Sequence, residues 1–133
     1  MGTLIDTSVL IAAERGLIDP SGLVDEPDGE ETAIAAITAS ELLHGMHRLK
    51  PSVKRARAER FVEAVLSAVP VIAFDLEIAR IHAQLEAQLA VSGTMVGAAD
   101  LQIAATAVAL DYRIATRDLR SFPKIRGLDV VKW

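Results

Sequence analysis

Thr3-Leu4-Ile5-Asp6-Thr7-Ser8-Val9-Leu10-Ile11-Ala12 is a short apolar run that ends on a carboxylate and leads straight into a second apolar run. The first part reads as a β-strand over residues 3–5. The second begins a helix near Val9, with Thr7 or Ser8 available as its cap. A strand that hands over to a helix at an acidic residue is the opening half of a β-α-β unit. The same punctuation recurs in Thr38-Ala39-Ser40-Glu41-Leu42-Leu43, Gly97-Ala98-Ala99-Asp100-Leu101 and Thr116-Arg117-Asp118-Leu119. Open α/β sheets bind their ligands at the carboxyl ends of the strands. Carboxylates gathered there repel one another unless a cation lies among them. Mg²⁺ and Mn²⁺, hard ions that favour oxygen ligands, are the natural candidates.

Working outward, residues 32–37 read as a second strand. A helix to about Arg48 follows, with Thr38 or Ser40 as cap and Pro51 marking its break. Residues 53–68 form a charged amphipathic helix with Phe61, Val62, Val65 and Leu66 as its apolar stripe. Pro70 stops it, and residues 71–74 read as a third strand. Asp75 has the position of an N-cap for a helix that Ser92-Gly93 closes. Residues 97–110 are rich in alanine and apolar on nearly every side, which predicts a buried helix. Residues 113–116 read as a fourth strand and 128–132 as a short fifth. Asp19-Pro20-Ser21-Gly22 and Glu26-Pro27-Asp28-Gly29 are turn signals around a short helical piece. Strands alternating with helices predict an α/β fold, a parallel sheet covered on both faces. Residues 1–133 read as one domain.

Composition sets the class. Of 133 residues, 51% are hydrophobic and only 4% aromatic, so the core must be built from Ala, Val, Ile and Leu. The absence of cysteine excludes disulfides, thiolate metal sites and a Cys nucleophile. No basic stretch followed by an apolar one precedes the first strand, and no apolar run approaches the ~20 residues of a membrane span. The expectation is a cytoplasmic protein. The net charge is −4, yet cations crowd two segments, one from Arg48 to Arg60 and one from Arg113 to Arg126. Basic patches of this kind serve phosphate ligands. Glu59 and Glu63 interleave with the first cluster, which also fits an ordinary solvated helix face.

Each acid has a plainer role to set against chemistry. Asp6 fits an Asx cap. Thr38-Ala39-Ser40-Glu41 fits a capping box in which Glu41 reaches back to an N-cap amide. Asp118 fits a cap before Pro123. Asp100 is sharper, because Val96, Ile103 and Ala104 are its helical neighbours. Burying a carboxylate on such a face costs several kcal/mol unless it is paired, whereas a helix-dipole contact returns only ~0.3–1 kcal/mol. Independent caps would not need one shared side of a sheet. Asp111, about 16 Å from Asp100 by helical rise, reads as a C-terminal turn residue. Glu41-x-x-His44 has di-iron spacing, but a di-iron bundle needs two such motifs. His44, His47 and His82 read as surface or packing residues. There is no phosphate-binding Gly-x-x-x-x-Gly-Lys loop, no dinucleotide fingerprint and no Gly-x-Ser-x-Gly elbow.

The segments at 4–11, 37–45, 98–105 and 115–122, in this order and spacing, resemble the PIN-domain ribonucleases. In detail they resemble the VapC-type toxins of prokaryotic toxin–antitoxin pairs. The resemblance implies a three-layer α/β/α domain with a small, four- to five-stranded parallel sheet. It also implies Mg²⁺- or Mn²⁺-dependent endoribonuclease activity leaving 5′-phosphate and 3′-hydroxyl ends. Asp6, Glu41 and Asp100 fall on the family's main acidic positions and Asp118 on a more variable fourth, making these four the catalytic and metal-binding candidates. Thr116 matches a hydroxyl position beside the site, and Thr7 is taken as a second supporting hydroxyl. Ser121 departs from the pattern, because many relatives carry an acid there, and this bears on how a second metal is held. A homodimer and a cognate VapB-type antitoxin are further implications. Arg117, Arg120 and Lys124 are our candidates for contacts to RNA backbone, with tRNA or rRNA as target. Two alternatives stand beside this reading. One is a PIN nuclease of RNA maturation or DNA processing. The other is a metal-binding signalling domain of the receiver type, which wants paired acids after the first strand, where Asp6 stands alone. An Asp-x-Asp phosphatase fails at Ser8.

Overall fold

A computed structural model describes residues 2–23 and 29–133; the turn read at Glu26-Pro27-Asp28 lies outside the described residues. Five strands form one sheet: β1 (Thr3–Ile5), β2 (Thr32–Ala35), β3 (Val71–Ile72), β4 (Arg113–Thr116) and β5 (Val130–Lys132). All neighbours are parallel, in the order β3-β2-β1-β4-β5. The helices are α1 (Thr7–Glu14), α2 (Ala36–His47), α3 (Val53–Ala68), α4 (Leu76–Ser92) and α5 (Ala98–Leu110). Short 3-10 turns occupy Pro20–Leu23 and Phe122–Lys124.

This order explains the layers. From β1 the chain steps outward to β2 and β3, then returns across β1 to β4. Right-handed crossovers put the helices of the outward run on one face and those of the return on the other. The side chains obey this through the strand period of two. Leu4, Ala33, Ala35 and Ile114 point into the core beneath α4 and α5. Ile5 and Ile34 point the opposite way, onto Val9, Leu10, Val62 and Val65 of α1 and α3. The architecture is thus α/β/α, and the reversal of strand order falls between β1 and β4. The sheet is closed there by Asp6 N–H donating to Ala115 O at 2.9 Å.

Several expected boundaries hold: β1, α3 and β4 have the predicted limits, Asp75 Oδ1 caps α4 through Ile78 N–H at 2.9 Å, and Gly93 ends α4 at φ 67°. Asp111, at φ 55°, is the turn residue after α5. Others move. α1 starts at Thr7 rather than Val9, and α2 at Ala36 rather than after a Thr38 or Ser40 cap. β2 and β3 are correspondingly shorter than 32–37 and 71–74, and β5 is shorter than 128–132. The early starts of α1 and α2 put Thr7, Ser8 and Thr38 inside first turns, where their hydroxyls serve the site instead of caps. Among the described residues no helix is long and apolar enough to cross a membrane.

At the opposite end of the sheet, Gly2 is buried beneath the ring of Tyr112. A Cβ there would overlap the ring's Cζ. Tyr112 is held by a 2.7 Å hydrogen bond from its hydroxyl to Glu31 Oε2. Gly2→Ala is expected to push the ring away, break that bond and cost about 1 kcal/mol. Urea melts should show the loss vanishing in a Tyr112→Ala background.

Candidate active site

The reversal between β1 and β4 is where a doubly wound sheet leaves a crevice at its carboxyl edge. Asp6 stands there at the end of β1, only 5% exposed. It occupies the N-cap position of α1 but makes no side-chain cap bond. Its Oδ2 instead accepts from Ser8 Oγ at 2.6 Å and from Thr116 Oγ1 at 2.9 Å. Ser8 Oγ also accepts from Arg117 N–H at 3.1 Å, and Thr116 Oγ1 from Asp118 N–H at 3.0 Å. The ends of β1 and β4 are thereby laced together around one buried carboxylate. Among the described residues, no ion pair and no further hydrogen bond to its side chain accompany it.

Asp100, half-buried in the first turn of α5, faces the same crevice. Burial pushes its carboxyl above the usual 3.8. The Ser121 hydroxyl offsets part of that, and the charges of Asp6 and Asp118 add to the rise. Asp100 on α5 therefore feels the acids at the end of β1 and in the loop after β4. Asp118 is turned outward, and the Arg120 guanidinium grips it through Nε and one Nη at 2.8 Å each. This contact holds the Asp118 carboxyl down to about 2. Glu41 is exposed on α2, and α2's early start removes the capping-box role. Thr7 Oγ1 donates to Glu41 Oε1 at 2.8 Å and lies 3.2 Å from the fully buried Thr38 Oγ1.

The structure brings Asp6, Asp100, Asp118 and Thr116 to one crevice, and Glu41 joins through Thr7. Of the expected RNA contacts, Arg120 is engaged with Asp118. Arg117 donates to Trp133 O at 3.3 Å, and Lys124 Nζ lies 3.4 Å from Met95 O. His44 and His47 are exposed on α2, and His82 packs edge-on against Phe74 at 5.6 Å. Ser8 and Thr38 were not anticipated. The available signal was an excess of hydroxyls behind Asp6, more than one helix needs as a cap.

Among the described residues no three carboxylate or imidazole groups stand close enough to enclose a metal ion. The donor set nevertheless suits a hard divalent cation. It consists of oxygen alone, and it includes a buried carboxylate without a cationic partner beside a second whose ionisation its surroundings oppose.

The two carboxyls give opposite pH dependences in metal-free protein. Asp100, raised on folding, contributes stability that is present below the usual 3.8 and lost as pH rises through its folded value. Asp118, lowered on folding, contributes stability that is present above 3.8 and lost as pH falls toward about 2. The Asp100 contribution to melting temperature in EDTA is expected to fall as pH rises above 3.8, and Asp100→Asn to remove that fall. Asp118→Asn should flatten the acid limb. A wild-type minus Asp100→Asn difference that is constant with pH would contradict this account.

A parallel sheet with a carboxylate crevice at its strand reversal suits a nuclease domain among other acidic-site folds, and comparison with known proteins decides between them. The PIN domain model matches residues 3–128. A ribonuclease VapC of Rickettsia bellii is 34% identical over 131 residues, covering 98% of this chain and 96% of the relative. A tRNA(fMet)-specific endonuclease VapC of Salmonella typhimurium is 33% identical over 100 residues, covering 75% and 74% of the two chains. In the crystal structure of DNA-bound VapBC from Salmonella typhimurium, the matching chain is 26% identical with a TM-score of 0.85, covering 100% of this chain and 98% of that one. The chain belongs to the PIN-domain family, among the VapC ribonucleases.

Proposed function

We propose that this protein is a Mg²⁺- or Mn²⁺-dependent endoribonuclease that acts as the toxin of a VapBC-type pair. The observation that carries the reading is Asp6: buried, unpaired by any described cation, and sharing its crevice with Asp100 and Asp118. Asp6, Asp100 and Asp118 would hold the ion, with Glu41 at the rim. When bound, such an ion supplies a hydroxide-like water at neutral pH and neutralises charge on the scissile phosphate. Ser8 and Thr116 keep Asp6 oriented and its Oδ2 hydrogen-bonded. Thr7 keeps Glu41 turned toward the crevice. Arg120 is placed to exchange its grip on Asp118 for a phosphate oxygen. No His or Cys nucleophile is needed.

The relatives support the biological role. A named ribonuclease aligns over nearly the whole chain, a named tRNA endonuclease over three-quarters of it, and the fold matches a chain of a DNA-bound VapBC. A cognate VapB-type antitoxin, a homodimeric assembly and a tRNA or rRNA target follow from this reading. The test is cleavage of pooled tRNA and rRNA by antitoxin-free protein in Mg²⁺, Mn²⁺ or EDTA, beside Asp100→Asn. Cuts lost in EDTA and in the variant support the reading. Cuts that survive both would overturn it, as would folded protein that cuts no RNA.

A further inference from the structure

We propose that the cleft between α1, α2 and α3 is the path of single-stranded RNA backbone toward the acidic centre, with Arg15, Arg48, Lys54 and Arg57 as its phosphate contacts. This rests on the ribonuclease reading above and deepens it. The cleft has a volume of about 840 Å³, and Thr7 and Glu41 line it along with these four cations. It therefore opens onto the site's own rim. Arg48 lies seven residues beyond Glu41 on α2, about 10 Å along the helix, so the cations extend outward from the centre.

Charge distinguishes this cleft from an ordinary solvated face. Among the described residues, no carboxylate lies within ion-pair distance of Arg15, Arg48, Lys54 or Arg57. Glu59 and Glu63, which follow Arg57 on the same helix, are not in the cleft lining, whose α3 wall is Lys54, Arg57, Ala58 and Val62. Only Glu14 and Glu41 are acidic in its lining. A chain of net charge −4 thus keeps a locally positive channel beside Glu41. Cations along a groove suit a phosphodiester backbone. Among the described residues no Phe, Tyr or Trp lines the cleft and His44 is its one ring, so binding is mainly electrostatic and strongly salt-dependent.

The test uses a fluorescein-labelled single-stranded RNA of mixed sequence, full-length protein in EDTA to prevent cleavage, and a series of KCl concentrations. Lys54→Gln/Arg57→Gln is compared with Arg60→Gln/Arg80→Gln, a pair of equal charge outside the cleft lining. All four side chains are exposed, and circular dichroism verifies the fold. The cleft pair should weaken binding by about tenfold and lower the slope of log K against log salt by about 1.4. The control pair should do neither. In Mg²⁺ the cleft pair should raise KM with little change in kcat. Equal effects of both pairs overturn the proposal, as does unchanged RNA binding. Unchanged RNA binding with lost capture of a co-expressed antitoxin assigns the cleft to a protein instead. If no preparation cuts RNA while the cleft pair alone loses RNA binding, the ribonuclease reading falls and the cleft assignment stands.

Discussion

Asp6→Asn should lower RNA cleavage by about 10³-fold, about 4 kcal/mol of barrier, while leaving the protein as stable as before or more so. The two halves of this expectation share one cause. Asp6 is buried, and Asp100 feels its negative charge. Removing that charge relieves a repulsion that folding has to overcome. The amide is nearly isosteric, and its oxygen can still accept from Ser8 and Thr116, so packing and the lacing of β1 to β4 persist. What is lost is the anionic oxygen that a divalent cation needs. Cleavage in Mg²⁺ and thermal melts in EDTA read the two effects separately. A marked fall in melting temperature would mean that Asp6 is chiefly structural. Activity within about tenfold of wild type would remove it from the metal site.

Phe122→Ala should cost about 3–5 kcal/mol of stability, a large share of the margin of an ordinary domain. Phe122 is 1% exposed and packs into the core cluster that holds Leu101, Ile114 and Ile125. With aromatics at 4% of the chain, little else nearby can fill the volume it leaves. It also ends the loop that carries Asp118, Arg120 and Ser121, whose other end is β4. The variant should therefore weaken Mg²⁺ binding even at temperatures where it remains folded, and Phe122→Leu should restore most of both. Urea titration reads the stability, and isothermal titration of Mg²⁺ reads the site. A loss below about 1 kcal/mol would mean that the loop does not depend on this anchor.

Much of this protein was legible without coordinates, because much of it is governed by local rules. Apolar runs bounded by Asp6, Pro70 and Thr116 marked strand ends, and the strand period of two with the helix period of 3.6 assigned the elements. α3 has its predicted limits because Ser52 caps it, accepting from Arg55 N–H at 3.1 Å, and Pro70 bars its extension. Asp100 stood out from its neighbours alone, since a carboxylate on an apolar helix face conflicts with the cost of burial.

The hydroxyls could not be assigned in this way. Thr7, Ser8 and Thr38 have the local chemistry of caps, and a cap is a contact within a few residues. Ser8 does donate to Asp6 two residues back, but the contacts that join the site lie farther off: Thr7 to Glu41 spans 34 residues and Ser8 to Thr116 spans 108. The grip of Arg120 on Asp118, two residues away, is local, yet it competes with solvent and phosphate and leaves no mark in periodicity. The cations between Arg48 and Arg60 show the same division. Along the chain they run into Glu59 and Glu63 and resemble a solvated surface, and only the packing of three helices separates the two signs. Residue types and their local spacing therefore specified the elements and nominated the acids. Strand order, hydroxyl partners and the charged cleft came from tertiary packing, because each joins groups that only long-range folding brings together.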